Sequence, residues 1–238
     1  MTAARQRALL LILAAVAIMG ALALFAARPS APSKTVGKPR LLLLTGLPLI
    51  FSEEFGLEGG SPALSELSKS YEVMPISTTA PAELRKGALL LMAQPPAQTA
   101  ENLIALDKWV RDGGRVMLLA DPFLEWPSSR PLGDPLRPSP VFADTGLLQH
   151  WGLRLIPPAE RGPQMRLLGG YEVMTASSGS LSGRCEIRGA RLTARCRIGR
   201  GRATIVADAD FLNLQDLDGP TDNNLKGLVA ELAYLREE

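Results

Sequence analysis

Three aspartates stand where a buried sheet would place chemistry. Asp121 follows the apolar run 115–120 (RVMLLA), and Asp208 and Asp210 follow the run 203–207 (ATIVA). Carboxylates that follow parallel strands gather at one sheet edge, where they can bind a cation or do acid–base work. Aspartates in such places also cap turns by accepting free backbone N–H groups. A bare D-x-D does not separate the two roles, and capping is the preferred reading. The single histidine, His150, lies in the apolar string LLQHWGL, where a partly buried packing role is expected. One histidine excludes a multi-histidine metal site.

Other signatures are absent. The sequence has no G-x-x-x-x-G-K-[ST] phosphate loop and no G-x-S-x-G elbow. The first apolar run leads into Thr45-Gly46-Leu47-Pro48, not into G-x-G-x-x-G. These absences predict a domain that is not an enzyme, holds no metal and carries no cofactor. The two cysteines, Cys185 and Cys196, fall in one segment, 184–198, that alternates about Gly189 and reads as a β-hairpin insertion. A two-residue turn at Ala190-Arg191 sets them opposite each other, either as a cross-strand disulfide or as two buried thiols. Arg184, Arg188, Arg191, Arg195, Arg197, Arg200 and Arg202 form a basic strip opposed only by Glu186. Such a strip docks on anionic headgroups or an acidic partner, or it is a solvated face that blunts a sheet edge.

Charge narrows the class of protein. Without Arg5, Arg7 and Arg28, 23 basic residues face 24 acidic ones, so nucleic acid is not an expected partner. Residues 8–27 carry no charged side chain, and twenty apolar residues span about 30 Å as a helix, the thickness of a bilayer core. Residues 1–28 are therefore expected to anchor the chain in a bacterial inner membrane. A cleaved signal peptide with its site at Ala21-Leu22-Ala23 is the competing reading, but the apolar run continues past it. Arg5 and Arg7 favour a cytoplasmic N-terminus and a periplasmic domain. No second apolar span follows, so a single pass is expected.

The elements that must position the carboxylates follow from periodicity. Residues 29–38 (RPSAPSKTVG) read as a linker, and 39–238 as an α/β domain. Unbroken apolar runs at 40–44, 88–93, 115–120 and 203–207 suit strands covered on both faces. Helical spacing of Leu103, Leu106 and Val110 follows a Thr99 cap and stops at Gly113-Gly114, and Leu225, Leu228, Leu232 and Leu235 mark a last helix. Strand–helix–strand order predicts a mostly parallel sheet between helices. Residues 121–140 hold six prolines and form a long loop leaving a strand end, which is either part of the ligand crevice such sheets keep there or a plain surface excursion.

Two stretches carry a family resemblance: ALDKWVRDGGRVMLLADPF (105–123) and GRGRATIVADADFLNLQDLDGPTDNNLKGLVAEL (199–232). They resemble the helix–GG–strand–DP segment and the closing segment of GldG-type proteins, auxiliary components of uncharacterised ABC transport systems. The resemblance implies a Rossmann-like domain similar to class I glutamine amidotransferases without their catalytic residues. Gln94-Pro95-Pro96 stands where those enzymes place a nucleophilic cysteine. The implied function is a non-catalytic accessory or binding domain with permease and ATPase partners. An envelope scaffold, or a hydrolase using Asp121, Asp208 or Asp210, are the alternatives.

Overall fold

The structure, a computed structural model, describes residues 37–51 and 60–237. The anchor expected over 1–28 and the linker as far as residue 36 lie outside these residues. Among the described residues no helix is long and apolar enough to cross a membrane.

Strand β1 (Arg40–Thr45) leads through helix α1 (Pro62–Ser70) to β2 (Glu72–Pro75), and a one-turn helix α2 (Pro81–Leu84) leads on to β3 (Leu89–Ala93). Helix α3 (Ala100–Arg111) joins β3 to β4 (Arg115–Leu119). The chain is then irregular until α4 (Leu147–His150), β5 (Leu153–Ile156), β6 (Pro163–Leu168), β7 (Tyr171–Ala176) and β8 (Ser180–Gly183). Strands β9 (Glu186–Arg188), β10 (Thr193–Ile198) and β11 (Gly201–Val206) precede the last helix, α5 (Asn224–Glu237). Seven strands form the main sheet in the order β2-β1-β3-β4-β11-β10-β9, with β2 to β11 parallel. Strands β5 and β8, and β6 and β7, form two antiparallel ribbons outside the main sheet.

The apolar runs are unbroken because both faces of the sheet are covered. Leu41, Leu43, Leu91 and Leu119 face one core with Leu67 of α1 and Leu228 and Leu232 of α5. Leu42, Leu44, Leu90 and Leu118 face the other with Leu84 of α2 and Leu106 and Val110 of α3. The helix ends follow from their caps: Ser61 accepts from Leu64 N and Thr99 from Asn102 N, and Gly113 turns the chain at φ 118°.

The segment 184–198 corrects one expectation. It is not an insertion, because β10 pairs with β11 along its whole length and with β9 on its other side. It is the antiparallel edge of the main sheet. Ala190 and Arg191 both adopt positive φ, 51° and 72°, which gives a two-residue turn with the twist of a hairpin. Cys185 and Cys196 are joined by a disulfide, with their Cα atoms 4.8 Å apart. On the other face, Arg195 meets the buried Glu231 of α5 through two hydrogen bonds of 2.7 and 2.6 Å, and its guanidinium lies 3.6 Å from the Tyr234 ring centroid. His150 departs from its expected packing role: its side chain is mostly exposed, 3.2 Å from an Arg111 nitrogen and 3.5 Å from Asp107.

Leu91 is fully buried at the centre of the sheet. Leu91→Ala is expected to lower unfolding stability by about 2–5 kcal/mol, read by urea denaturation, with an unchanged far-UV spectrum in the absence of denaturant.

Candidate functional site

Parallel strands β4 and β11 lie side by side, so the loops that follow them meet at the C-terminal edge of the sheet. Asp121 is fully buried there, and its two oxygens accept from Phe123 N in its own loop and from Ala209 N in the loop after β11, each at 2.8 Å. Asp210 returns the contact by accepting from Glu125 N at 2.8 Å. Asp208 accepts from Phe211 N at 2.9 Å, and its other oxygen has no hydrogen-bond partner among the described residues. The three carboxylates are brought together but turn to different backbone donors. Among the described residues no group of three or more His, Cys, Asp or Glu side chains is placed to hold a metal ion.

Crowding three carboxyl groups away from water favours their neutral forms. Burial pushes the Asp210 pKa up to about 8, with further upward pushes from Asp121 and Glu125. Burial raises Asp208 well above the usual range, and the charges of Asp121 and Asp210 add to this. Burial also raises Asp121, to about 6, against the pull of its backbone N–H donors.

Two residues outside the expected set complete this edge. Gln94, just after β3, is buried with φ 40°. Its Oε1 accepts from Asp121 N at 2.9 Å, and its Nε2 donates to Asp121 O at 3.2 Å and to Ser139 O at 3.1 Å. It stands on the sharp strand-end turn and clamps the start and end of the long loop. Glu125 is exposed and accepts a hydrogen bond from the buried Ser177 hydroxyl.

One concave feature at this edge is a crevice between the ends of β1 and β3. The chain leaves β1 toward β2 on one side and returns to β3 on the other, so the strand order reverses here. Open α/β sheets bind ligands at such a reversal. The crevice, of about 360 Å³, is lined by Thr45, Gly46, Phe51, Ile76, Arg130 and Leu136 among others. Its walls are mostly apolar, and Phe51 and Leu136 are 81% and 66% exposed. The Pro-rich loop 121–140 supplies Arg130, Pro135 and Leu136. Gly46 forms part of the floor, where an added Cβ would fall 2.6 Å from Gln94 O. Asp121, Asp208 and Asp210 do not line the crevice. The sequence did not reveal it because strand order is not written in the periodicity of any one strand.

No protein-family model and no curated protein matches this chain. Solved structures do. One is the cytoplasmic protein STM3548 from Salmonella typhimurium, at TM-score 0.52 and 10% identity, covering 82% of this chain and 98% of that one. Another is Gan42B, a GH42 beta-galactosidase from G. stearothermophilus, at TM-score 0.50 and 10% identity, covering 83% of this chain and 30% of that one. A third is the exo-beta-1,4-mannosidase Op5Man5 from Opitutaceae bacterium strain TAV5, at TM-score 0.47 and 16% identity, covering 83% and 35%. The chain spans about a third of the length of these two glycosidases. At such identities the likeness is one of fold. It corrects the expectation that the chain is not an enzyme, because the same α/β arrangement occurs within glycoside hydrolases. Missing nucleophile and phosphate-loop motifs therefore do not exclude catalysis.

The carboxylate cluster predicts a pH dependence. An unfolded aspartate titrates near 3.9, whereas folded Asp210 titrates at about 8. The folded state thus holds a proton that the unfolded state releases, and stability falls as pH rises from about 4 to about 8. Asp210→Asn keeps an acceptor for Glu125 N and removes the titration. The melting temperature of this variant is expected to exceed the wild type's at pH 8 and to vary less between pH 5 and 8.

Proposed function

We propose that this chain is a membrane-anchored binding domain on the outer face of a bacterial inner membrane, an accessory component of an ABC-type transport system. The observation that carries the binding role is the crevice at the strand-order reversal, apolar in its walls and closed on one side by the Pro-rich loop. Its size falls within the usual range for ligand sites, about 300–1,000 Å³. The exposed Phe51 and Leu136 at its rim suit an apolar ligand or an apolar segment of a partner. The transport context rests on the GldG-type resemblance of residues 105–123 and 199–232, and the anchor on the apolar run 8–27.

A photo-crosslinking residue in place of Leu136 tests this reading in intact cells. The expected product is an adduct with a permease or ATPase subunit, or with a small apolar molecule. The same residue in place of Ile104, exposed on α3 away from the crevice, should give none. Equal labelling from both positions, or none from Leu136, would sink the proposal.

A second reading is favoured by one observation. Asp210, whose pKa burial raises to about 8, accepts from the backbone N–H of Glu125, whose side chain is exposed at the same edge. Glycoside hydrolysis uses two carboxyl groups, one holding a proton and one ionised. Release of nitrophenol from nitrophenyl glycosides by the wild type, abolished by Glu125→Gln at unchanged melting temperature, would establish a hydrolase. Turnover that survives Glu125→Gln would remove this pair from consideration.

A further inference from the structure

The fold sorts charge between its two edges. The segments at the N-terminal ends of the parallel strands and beside them (38–40, 66–72, 83–89, 107–115, 184–186, 197–202 and 234–237) hold thirteen Lys and Arg against seven Asp and Glu. The segments at the crevice edge (93–101, 120–146, 156–162, 188–192 and 207–224) hold eleven Asp and Glu, three of them the buried Asp121, Asp208 and Asp210, against five Arg. A net charge of +2 conceals this separation.

Helix macrodipoles account for part of the basic edge, since Lys69, Lys108 and Arg236 lie in last helical turns. They do not account for Lys38, Arg40, Arg115, Arg197 and Arg200, which lie at strand ends and in the turn between β10 and β11. Arg85, Arg115 and Arg197 have no acidic partner among the described residues. At the same edge, a groove of about 130 Å³ between β10, β11 and the end of α5 is lined by Arg195, Arg197, Arg202 and Tyr234, with Glu186 the one carboxylate among them. Guanidinium groups hold phosphate oxygens, often in pairs of hydrogen bonds.

The chain also enters the domain here. Lys38 and Arg40 open β1 at the basic edge, ten residues after Arg28 closes the apolar run. Ten residues reach at most about 35 Å when extended.

We infer that this basic edge docks on the anionic phosphate headgroups of the bilayer, with the crevice edge turned away from it. The inference rests on the membrane anchoring proposed above. Headgroup attraction acts within a Debye length of the surface and weakens with salt.

The test uses the full chain reconstituted in vesicles. Its native cysteines are disulfide-bonded, so a cysteine at exposed Ser70 offers a single thiol for a fluorophore. Energy transfer from Ser70→Cys to acceptor-labelled headgroups should increase when phosphatidylglycerol replaces phosphatidylcholine, and fall back in high salt. A probe on Ala143→Cys, at the opposite edge, should show no increase. Arg85→Glu with Arg197→Glu and Arg200→Glu should abolish the increase, and the single change Arg197→Glu should remove part of it. Equal transfer in neutral and anionic vesicles, from a chain that resists carbonate extraction, overturns the docking face and leaves the anchor standing. A chain that carbonate extracts, yet that still responds to phosphatidylglycerol, loses the anchor and keeps the docking face.

Discussion

Asp121 has no exposed surface, and both of its oxygens are committed to backbone N–H groups, one in its own loop and one in the loop after β11. Asp210 makes the reverse crossing to Glu125 N. Two non-consecutive loops are thus tied together by side chains whose charged forms repel one another. The arrangement is eased because burial and mutual repulsion raise the pKa of all three carboxyl groups, Asp210 to about 8, which favours their neutral forms. This brace at the strand ends lets the long loop leave the sheet with the backbone N–H groups of Phe123, Glu125 and Ala209 satisfied.

The brace extends sideways through Gln94. Its amide spans from the β3 turn to both ends of the Pro-rich segment, at Asp121 and at Ser139. The side chain is fixed on a left-handed turn, a conformation a non-glycine residue holds only when its surroundings impose it. Here the buried amide, with its oxygen and its nitrogen both hydrogen-bonded, supplies that constraint. The loop so pinned delivers Arg130 and Leu136 to the crevice wall, while Gly46 lets the β1 turn approach Gln94 closely enough to form the floor. Brace and crevice are separate features, one holding the edge and the other open to solvent.

The antiparallel edge answers a different problem. Strand β10 carries arginines on one face and apolar residues on the other, and an unpaired strand of this kind invites association. Pairing with β9, the Cys185–Cys196 disulfide and the Arg195–Glu231 contact fix it from three sides. Glu231 is almost completely buried, so its charge is tolerable only with the Arg195 guanidinium beside it. Part of the basic strip is therefore consumed in holding β10 to α5, and Arg197 and Arg200 are left at the exposed end.

The sequence by itself determined the local elements. Apolar runs, caps at Ser61 and Thr99, and the stop at Gly113 report on neighbours a few residues away, and such signals survive in one dimension. The alternation about Ala190-Arg191 likewise placed Cys185 opposite Cys196, because a two-residue turn leaves only one register. It also marked Asp121, Asp208 and Asp210 as strand-end residues. Tertiary structure alone decided that β10 and β9 extend the main sheet, that the strand order reverses between β1 and β3, and that Gln94 and Glu125 join the aspartates. Those facts depend on which strands become neighbours, and no periodicity within a strand encodes its neighbour. The charge separation is of the same kind. A chain close to neutral along its length becomes basic at one edge and acidic at the other only because parallel strands send every loop of one type to the same side.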